Sequence, residues 1–245
     1  MKLKSLSLSV FIFINLNSFS QINFFDYPAP DNLDTLKKLD LWSTYYYIPV
    51  FDAGGKVPII YEDGTASGLF VDIFDFCTAA LQGTGYVKMP NGNIVEIHFA
   101  KRGKKSFVDC RQCEKYRNSQ GAEDWGRTLW KKPAPRKIKG KNPVPYRTIA
   151  VDPRYIPFGT TIFIPKIRGQ IFSMPNGEKI VHDGYFFASD KGSAIKENHI
   201  DIFTGTNPLN PFPDLIVSKR ERTLDAYIVS NDNIRSSLAN MHGKK

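Results

Sequence analysis

The chain has 245 residues, with 33 lysines and arginines against 24 aspartates and glutamates, and a formal charge of +9. That length admits one large domain or two small ones with a real core, and the basic balance suits an anionic partner such as cell wall, membrane surface or nucleic acid. No zinc-finger spacing, aromatic RNP-like strand or helix-turn-helix pattern is present, so a nucleic-acid partner is not expected.

The chain opens "MKLKSLSLSVFIFINLNSFSQ". Lys2 and Lys4 precede a short apolar run, and small residues follow before Gln21. That is the three-part pattern of a secretory signal peptide, expected over 1–20. The run falls short of the ~20 apolar residues that span a bilayer, and no later segment reaches that length. A secreted or periplasmic protein is therefore expected, and a monomer. Removal of the leader would lower the charge from +9 to +7.

Residues 21–40 are polar and proline-bearing and read as a loosely tied N-terminal leader. "LWSTYYYIPV" (41–50) is dense in aromatic and β-branched residues and predicts a strand. "LFVDIFDFCTAALQG" carries Phe70, Ile73, Phe74, Cys77 and Leu81 at helical spacing, stopped by Gly83, with these side chains expected in the core. "GYVKMPNGNIVEIHF" reads as a hairpin turning at "NGN". The stretch "KKPAPRKIKGKNPVP" (131–145) has many cations, several prolines and no acid, so it cannot build a core and reads as a surface loop. A region of about 85–145 is therefore expected as an insertion outside the main domain.

From Tyr146 the strands are short and frequent. "YRTIAVDP", "GTTIFIP", the hairpin "GQIFSMPNGEKIV", "DGYFFAS", "IDIFTG" and "LDAYIVS" are separated by turns, with "AIKEN" as a single helical turn. Strands with turns every eight to twelve residues indicate an all-β barrel or sandwich. Residues 231–245 read as a C-terminal tail. The three cysteines, Cys77, Cys110 and Cys113, suit one disulfide and one odd thiol in an oxidising compartment. The four histidines, His98, His182, His199 and His242, lack ligand spacing, so neither metal nor cofactor is expected.

Three aspartates stand where strands end or run. Asp152 precedes Pro153, Asp190 precedes Lys191-Gly192, and Asp201 lies between Ile200 and Ile202. Alternation puts the two isoleucines on the face opposite Asp201. With the isoleucines in a core, Asp201 faces a groove, where poor solvation and a second carboxylate raise its pKa toward that of a general acid. Lys191 beside the groove would act in the opposite sense. On residue type alone, Asp152 and Asp190 are more often turn formers.

"YRTIAVDPRYIPFGTTIFIP" followed by "ASDKGSAIKENHIDIFTG" resembles the three-aspartate (3D) domain of MltA-like lytic transglycosylases. The elements A-V-D-P, P-x-G-T, D-x-G-x-A-I-K and I-D-x-F stand in order, over residues 148–205. The resemblance implies a six-stranded double-psi β-barrel over 41–230, carrying the inserted hairpin and loop region and a short helix. It implies cleavage of peptidoglycan between N-acetylmuramic acid and N-acetylglucosamine, with a 1,6-anhydro ring formed by a single aspartate acid/base. That role falls on Asp201, with Asp190 and Asp152 completing the catalytic set. Substrate contacts are expected at Tyr46, Lys196 and Thr160, with Tyr45 and Tyr47 as further sugar-stacking candidates. The sequence departs from the family at Asp190-Lys191-Gly192-Ser193, where D-T-G-G is usual, and at Glu197, where Gly is common. The alternative is a non-catalytic wall-binding or wall-loosening module on the same barrel, as in expansin-like proteins.

Overall fold

The computed structural model describes residues 25–132, 143–174 and 177–243. The expected signal peptide, most of the basic run 131–141 and the hairpin tip at Pro175 and Asn176 lie outside the described residues.

The chain is mainly β. The first strand, β1 (Lys37–Tyr46), leads into β2 (Val50–Asp52), β3 (Val57–Ile60), β4 (Ala66–Val71), helix α1 (Ile73–Gln82), β5 (Thr84–Lys88), β6 (Ile94–Arg102), the short α2 (Ala122–Trp125) and β7 (Thr128–Trp130). Then come β8 (Thr148–Ala150), β9 (Thr161–Phe163), the hairpin β10 (Ile171–Ser173) and β11 (Lys179–Val181), β12 (Tyr185–Asp190), β13 (His199–Phe203), β14 (Leu224–Val229) and helix α3 (Asp232–Met241).

Six strands close a barrel in the order β1-β13-β8-β12-β9-β14, as the resemblance implied. Two pairs are parallel, β1 with β13 and β12 with β8, and the other four are antiparallel. Leu41, Ile149, Ile162, Ile200, Ile202 and Ala226 are fully buried in its interior. Each large aliphatic side chain removed from water there contributes about 1.5–3 kcal/mol. Ile200 and Ile202 thus face the core, which commits Asp201 between them to the other face.

A second core draws on Phe51, Ile59, Phe76, Val87, Trp125 and Trp130. It begins well before the expected insertion at about 85, because α1 and β2 to β4 pack with β5 to β7 and not with the barrel interior. The Cys77–Cys110 disulfide ties α1 to the segment before α2, and Cys113 is a buried free thiol. Gly83 ends α1 in the left-handed region, as its position predicts.

The buried face of α1 differs from the one that helical spacing suggested. Phe76, Cys77, Ala79 and Ala80 are buried, whereas Phe74 and Leu81 are 43% and 47% exposed. Phe70 lies in β4 and is also exposed. The cause is close packing of small groups: a Cβ on Gly85 would meet Phe51 at 3.0 Å and the Ala79 methyl at 3.1 Å. The helix lays its alanines against β5, and the bulky residues turn outward.

Both ends of the described chain are tied down, unlike the leader and tail that composition suggested. Tyr27 donates its backbone N–H to Asp183, and its hydroxyl pairs with Ser237 of α3. Ile234 and Leu238 of α3 pack under the barrel with Phe163, Tyr185 and Val229, and Asn231 caps the helix through the Ile234 N–H. "AIKEN" forms turns and no helix, with Glu197 in the left-handed region at φ 53°.

Candidate active site

The parallel pairing of β1 and β13 builds the site. Trp42 lies opposite His199, Thr44 opposite Asp201 and Tyr46 opposite Phe203. Since side chains alternate along a strand, these six share one face, while Leu41, Ile200 and Ile202 point to the core. The three pairs touch. Trp42 and His199 stack with ring centroids 3.5 Å apart, the Thr44 hydroxyl donates to Asp201 Oδ1 at 2.7 Å, and Tyr46 lies 5.1 Å from the Phe203 ring.

Asp190, at the end of β12, completes the group. The Tyr46 hydroxyl donates to its Oδ2 at 2.6 Å, and the Lys191 backbone N–H donates to its Oδ1 at 2.8 Å. Asp201 is mostly enclosed, and burial pushes its carboxyl up to about 7, with the Asp190 charge adding to the rise and the Thr44 hydroxyl opposing it. Tyr46 is raised well above its ordinary value, first by burial and then by Asp190 and Asp201. The structure therefore brings Asp190, Asp201 and Tyr46 into one electrostatic unit.

The Lys191 side chain is exposed, and its contact with Asp190 runs through the backbone. The expected lowering of a groove carboxylate by this cation is not seen at Asp201, whose shift comes from burial, Thr44 and Asp190.

Asp152 stands apart from that unit. Its carboxylate accepts from Arg154 Nε and Nη2 at 3.0 and 2.8 Å, from the Arg154 N–H at 3.1 Å and from the Glu197 N–H at 3.2 Å. Those bonds, the Arg154 side chain first, hold it well below the usual carboxylate range. It fastens the turn after β8 to the loop that enters β13, and neither Asp190 nor Asp201 is among its partners.

The other expected contacts are scattered. Thr160 Oγ1 donates to the Pro157 carbonyl at 2.6 Å within its own turn. Lys196 is exposed, and its carbonyl accepts the His199 N–H. Tyr45 packs against the barrel core and donates to the Pro208 carbonyl. The Tyr47 backbone donates to Gln82 of α1, linking the strand exit to the second core. A cavity of ≈ 350 Å³ lies elsewhere, between the leader, Tyr185 and α3, and contains none of the expected site residues.

Sequence reasoning missed Trp42, Thr44 and His199. The signal was the alternation Trp42, Thr44, Tyr46 in the opening strand, which matches His199, Asp201, Phe203 once the strands are paired in register.

Residues 147–209 match the family model of the 3D domain. The fold is similar to that of MltA from E. coli with bound chitohexaose, at 16% identity and a TM-score of 0.50, over 77% of this chain and 71% of that one. It is also similar to a membrane-bound lytic murein transglycosylase from Agrobacterium tumefaciens, at 17% identity and a TM-score of 0.47, over 82% and 78% of the two chains. The lytic transglycosylase LtgG of Burkholderia pseudomallei matches at 19% identity and a TM-score of 0.41, over 78% and 72%. Comparison with curated proteins finds no match.

Proposed function

We propose that the protein is a peptidoglycan lytic transglycosylase that works outside the cytoplasm, with Asp201 as its single acid/base. The observation that carries this reading is a mostly buried carboxyl, raised to about 7, beside a second carboxylate that is held by two donors. A general acid needs a proton to give near neutral pH, and this environment keeps one there. The similarity of fold to a protein that holds chitohexaose supports a glycan substrate.

In the first step the Asp201 acid protonates the glycosidic oxygen, and the bond to the muramic acid C1 breaks. The carboxylate so formed takes the proton of that sugar's C6 hydroxyl, whose oxygen closes on C1. One residue serves both steps because the nucleophile is tethered to the substrate. Asp190 faces the positive charge that develops on the sugar, where a fixed carboxylate stabilises it. Tyr46 holds Asp190 in place. Asp152 keeps the loop before β13 in position and does not meet the sugar. The basic balance of the chain suits an anionic wall.

The test is digestion of purified peptidoglycan in heavy-oxygen water. Soluble anhydro-muropeptides with no label at the new muramic acid end are expected. Label at that end would mean hydrolysis by two carboxylates. An intact wall that retains the protein would leave only a binding module.

A further inference from the structure

The Thr44 hydroxyl sits between two partners. Asp201 Oδ1 lies 2.7 Å away and His199 Nε2 lies 2.8 Å away. A hydroxyl has one hydrogen to give and lone pairs to receive. Thr44 therefore donates to one neighbour and accepts from the other, and the two bonds must point the same way along the chain of three.

His199 is fixed for such a role. Its ring is stacked on Trp42, with planes 10° apart, and the residue is 7% exposed. Burial pushes the imidazole down to about 4, so the ring is neutral and carries one proton. The Ala194 carbonyl favours a proton on that ring. Nε2 is engaged by Thr44, which leaves Nδ1 as the nitrogen to carry the proton that Ala194 favours. Among the described residues, the charged or titratable groups that bear on Asp201 are Asp190 from β12 and Tyr46 from β1, and neither contacts His199.

Resting on the transglycosylase reading of Asp201, we propose that His199 is its positioning residue, acting through Thr44 to favour the protonated carboxyl before the glycosidic bond breaks. With Asp201 protonated, both bonds around Thr44 are made: the acid O–H donates to Thr44 and the Thr44 O–H donates to His199 Nε2, with the ring proton on Nδ1. With Asp201 ionised, Thr44 turns its hydrogen to the carboxylate. His199 then keeps its bond to Thr44 only by moving its proton to Nε2, away from the Ala194 carbonyl that favours it on the other nitrogen. That move gives up the interaction with Ala194, so the unit as a whole favours the acid form. The proton that Asp201 gives to the glycosidic oxygen leaves this unit one hydrogen short, and the C6 hydroxyl proton restores it. No proton is made or consumed over the full cycle.

Nuclear magnetic resonance on the intact protein tests this without substrate. The carboxyl carbon of Asp201 and the ring nitrogens of His199 are followed against pH. The His199 proton is expected to pass from Nδ1 to Nε2 at the midpoint of the Asp201 titration. In Thr44→Val the ring should no longer follow that titration. In His199→Phe, which keeps a ring to stack on Trp42, Thr44 is free to serve the carboxylate, and the Asp201 midpoint should fall by about 0.5 pH unit or more. A His199 tautomer that stays constant while Asp201 titrates would overturn the proposal. So would a His199→Phe midpoint that stays in place. Should His199→Phe not fold, the wild-type and Thr44→Val spectra decide. A coupled titration in a protein that fails to cleave peptidoglycan would retain the relay and remove the enzymatic reading, so the two ideas fail separately.

Discussion

Asp201 is the residue whose loss should separate chemistry from folding. Asp201→Asn keeps the shape and still accepts from Thr44, but it has no transferable proton. Turnover on peptidoglycan should fall by about 10²–10⁴-fold, the usual worth of general acid catalysis. Full activity in this variant would remove the assignment. Stability should respond to pH as well. Folded Asp201 titrates near 7, whereas the ordinary carboxyl value is 3.8. Between those values the folded chain binds the extra proton, so stability falls as pH rises through the window and levels off above it. The asparagine lacks this loss. Denaturant titrations should find Asp201→Asn gaining on wild type from pH 4 to 7, by at most about 4 kcal/mol. His199 and His182, pushed down to about 4 and about 3 by burial, work the other way, and folded stability rises with pH up to 6.5 on their account. That rise is common to both proteins, so a stability difference that shrinks toward pH 7 would contradict the burial of Asp201.

At the scale of elements, the second core rests on one covalent tie. The Cys77–Cys110 bond joins residues 33 apart and lies within the cluster that also holds Trp125 and Trp130. Closing a loop of that length is worth about 3–4 kcal/mol through the unfolded state. Reduction should therefore loosen α1 and its neighbours first, seen as faster amide exchange over 73–125, while the barrel strands stay protected. Equal loosening of both would mean the two cores are one cooperative unit. The elements also differ in how plainly the sequence announces them. The strands after Tyr146 were legible because short β-branched runs between turn residues leave no other choice, and the hairpin of β5 and β6 was legible from Asn91-Gly92. The sequence puts the three aspartates forward together, and the structure joins Asp190 and Asp201 through Tyr46 while Asp152 turns to Arg154. Asp152 meets Arg154 two residues on, a local pair that spacing alone does not distinguish from a catalytic placement. The face of α1 was misread because alanines, not the larger Phe74 and Leu81, make the close contact with β5. Leader and tail looked unstructured because few apolar residues, Tyr27, Leu33, Leu36, Ile234 and Leu238 among them, carry their packing.

Across the whole molecule, one buried ion pair joins parts that are far apart in sequence. Arg147 donates through Nη1 to Asp183 Oδ1 at 2.6 Å and through Nη2 to Oδ2 at 2.7 Å, and Nη1 also reaches the Tyr185 carbonyl. Its guanidinium lies 4.2 Å from the Phe25 ring centre, and Asp183 accepts the Tyr27 N–H. Burial works to raise Asp183, and the bonds from Arg147 outweigh it, so the carboxylate stays ionised. Asp183→Ala takes the bidentate carboxylate away from a fully buried cation and should cost about 3–5 kcal/mol in urea unfolding. A loss below about 1 kcal/mol, the level of an exposed pair, would contradict the burial. Barrel closure has a different consequence, one of timing. Strand β1 pairs with β13 and β14 on its two sides, and Thr44 meets Asp201 from 157 residues away. Strand β1 thus has no barrel partner until the chain has been made through β13, while the second core can assemble in the interval. Contacts of such long range slow folding. A chain ending at Thr223 should hold the second core yet lack the last stave of the barrel, leaving β1 and β9 as bare edges prone to pair with other copies. Such a fragment is expected to aggregate, and light scattering during its refolding would report it. The face shared by β1 and β13 is accordingly assembled late, after the second core can already have closed.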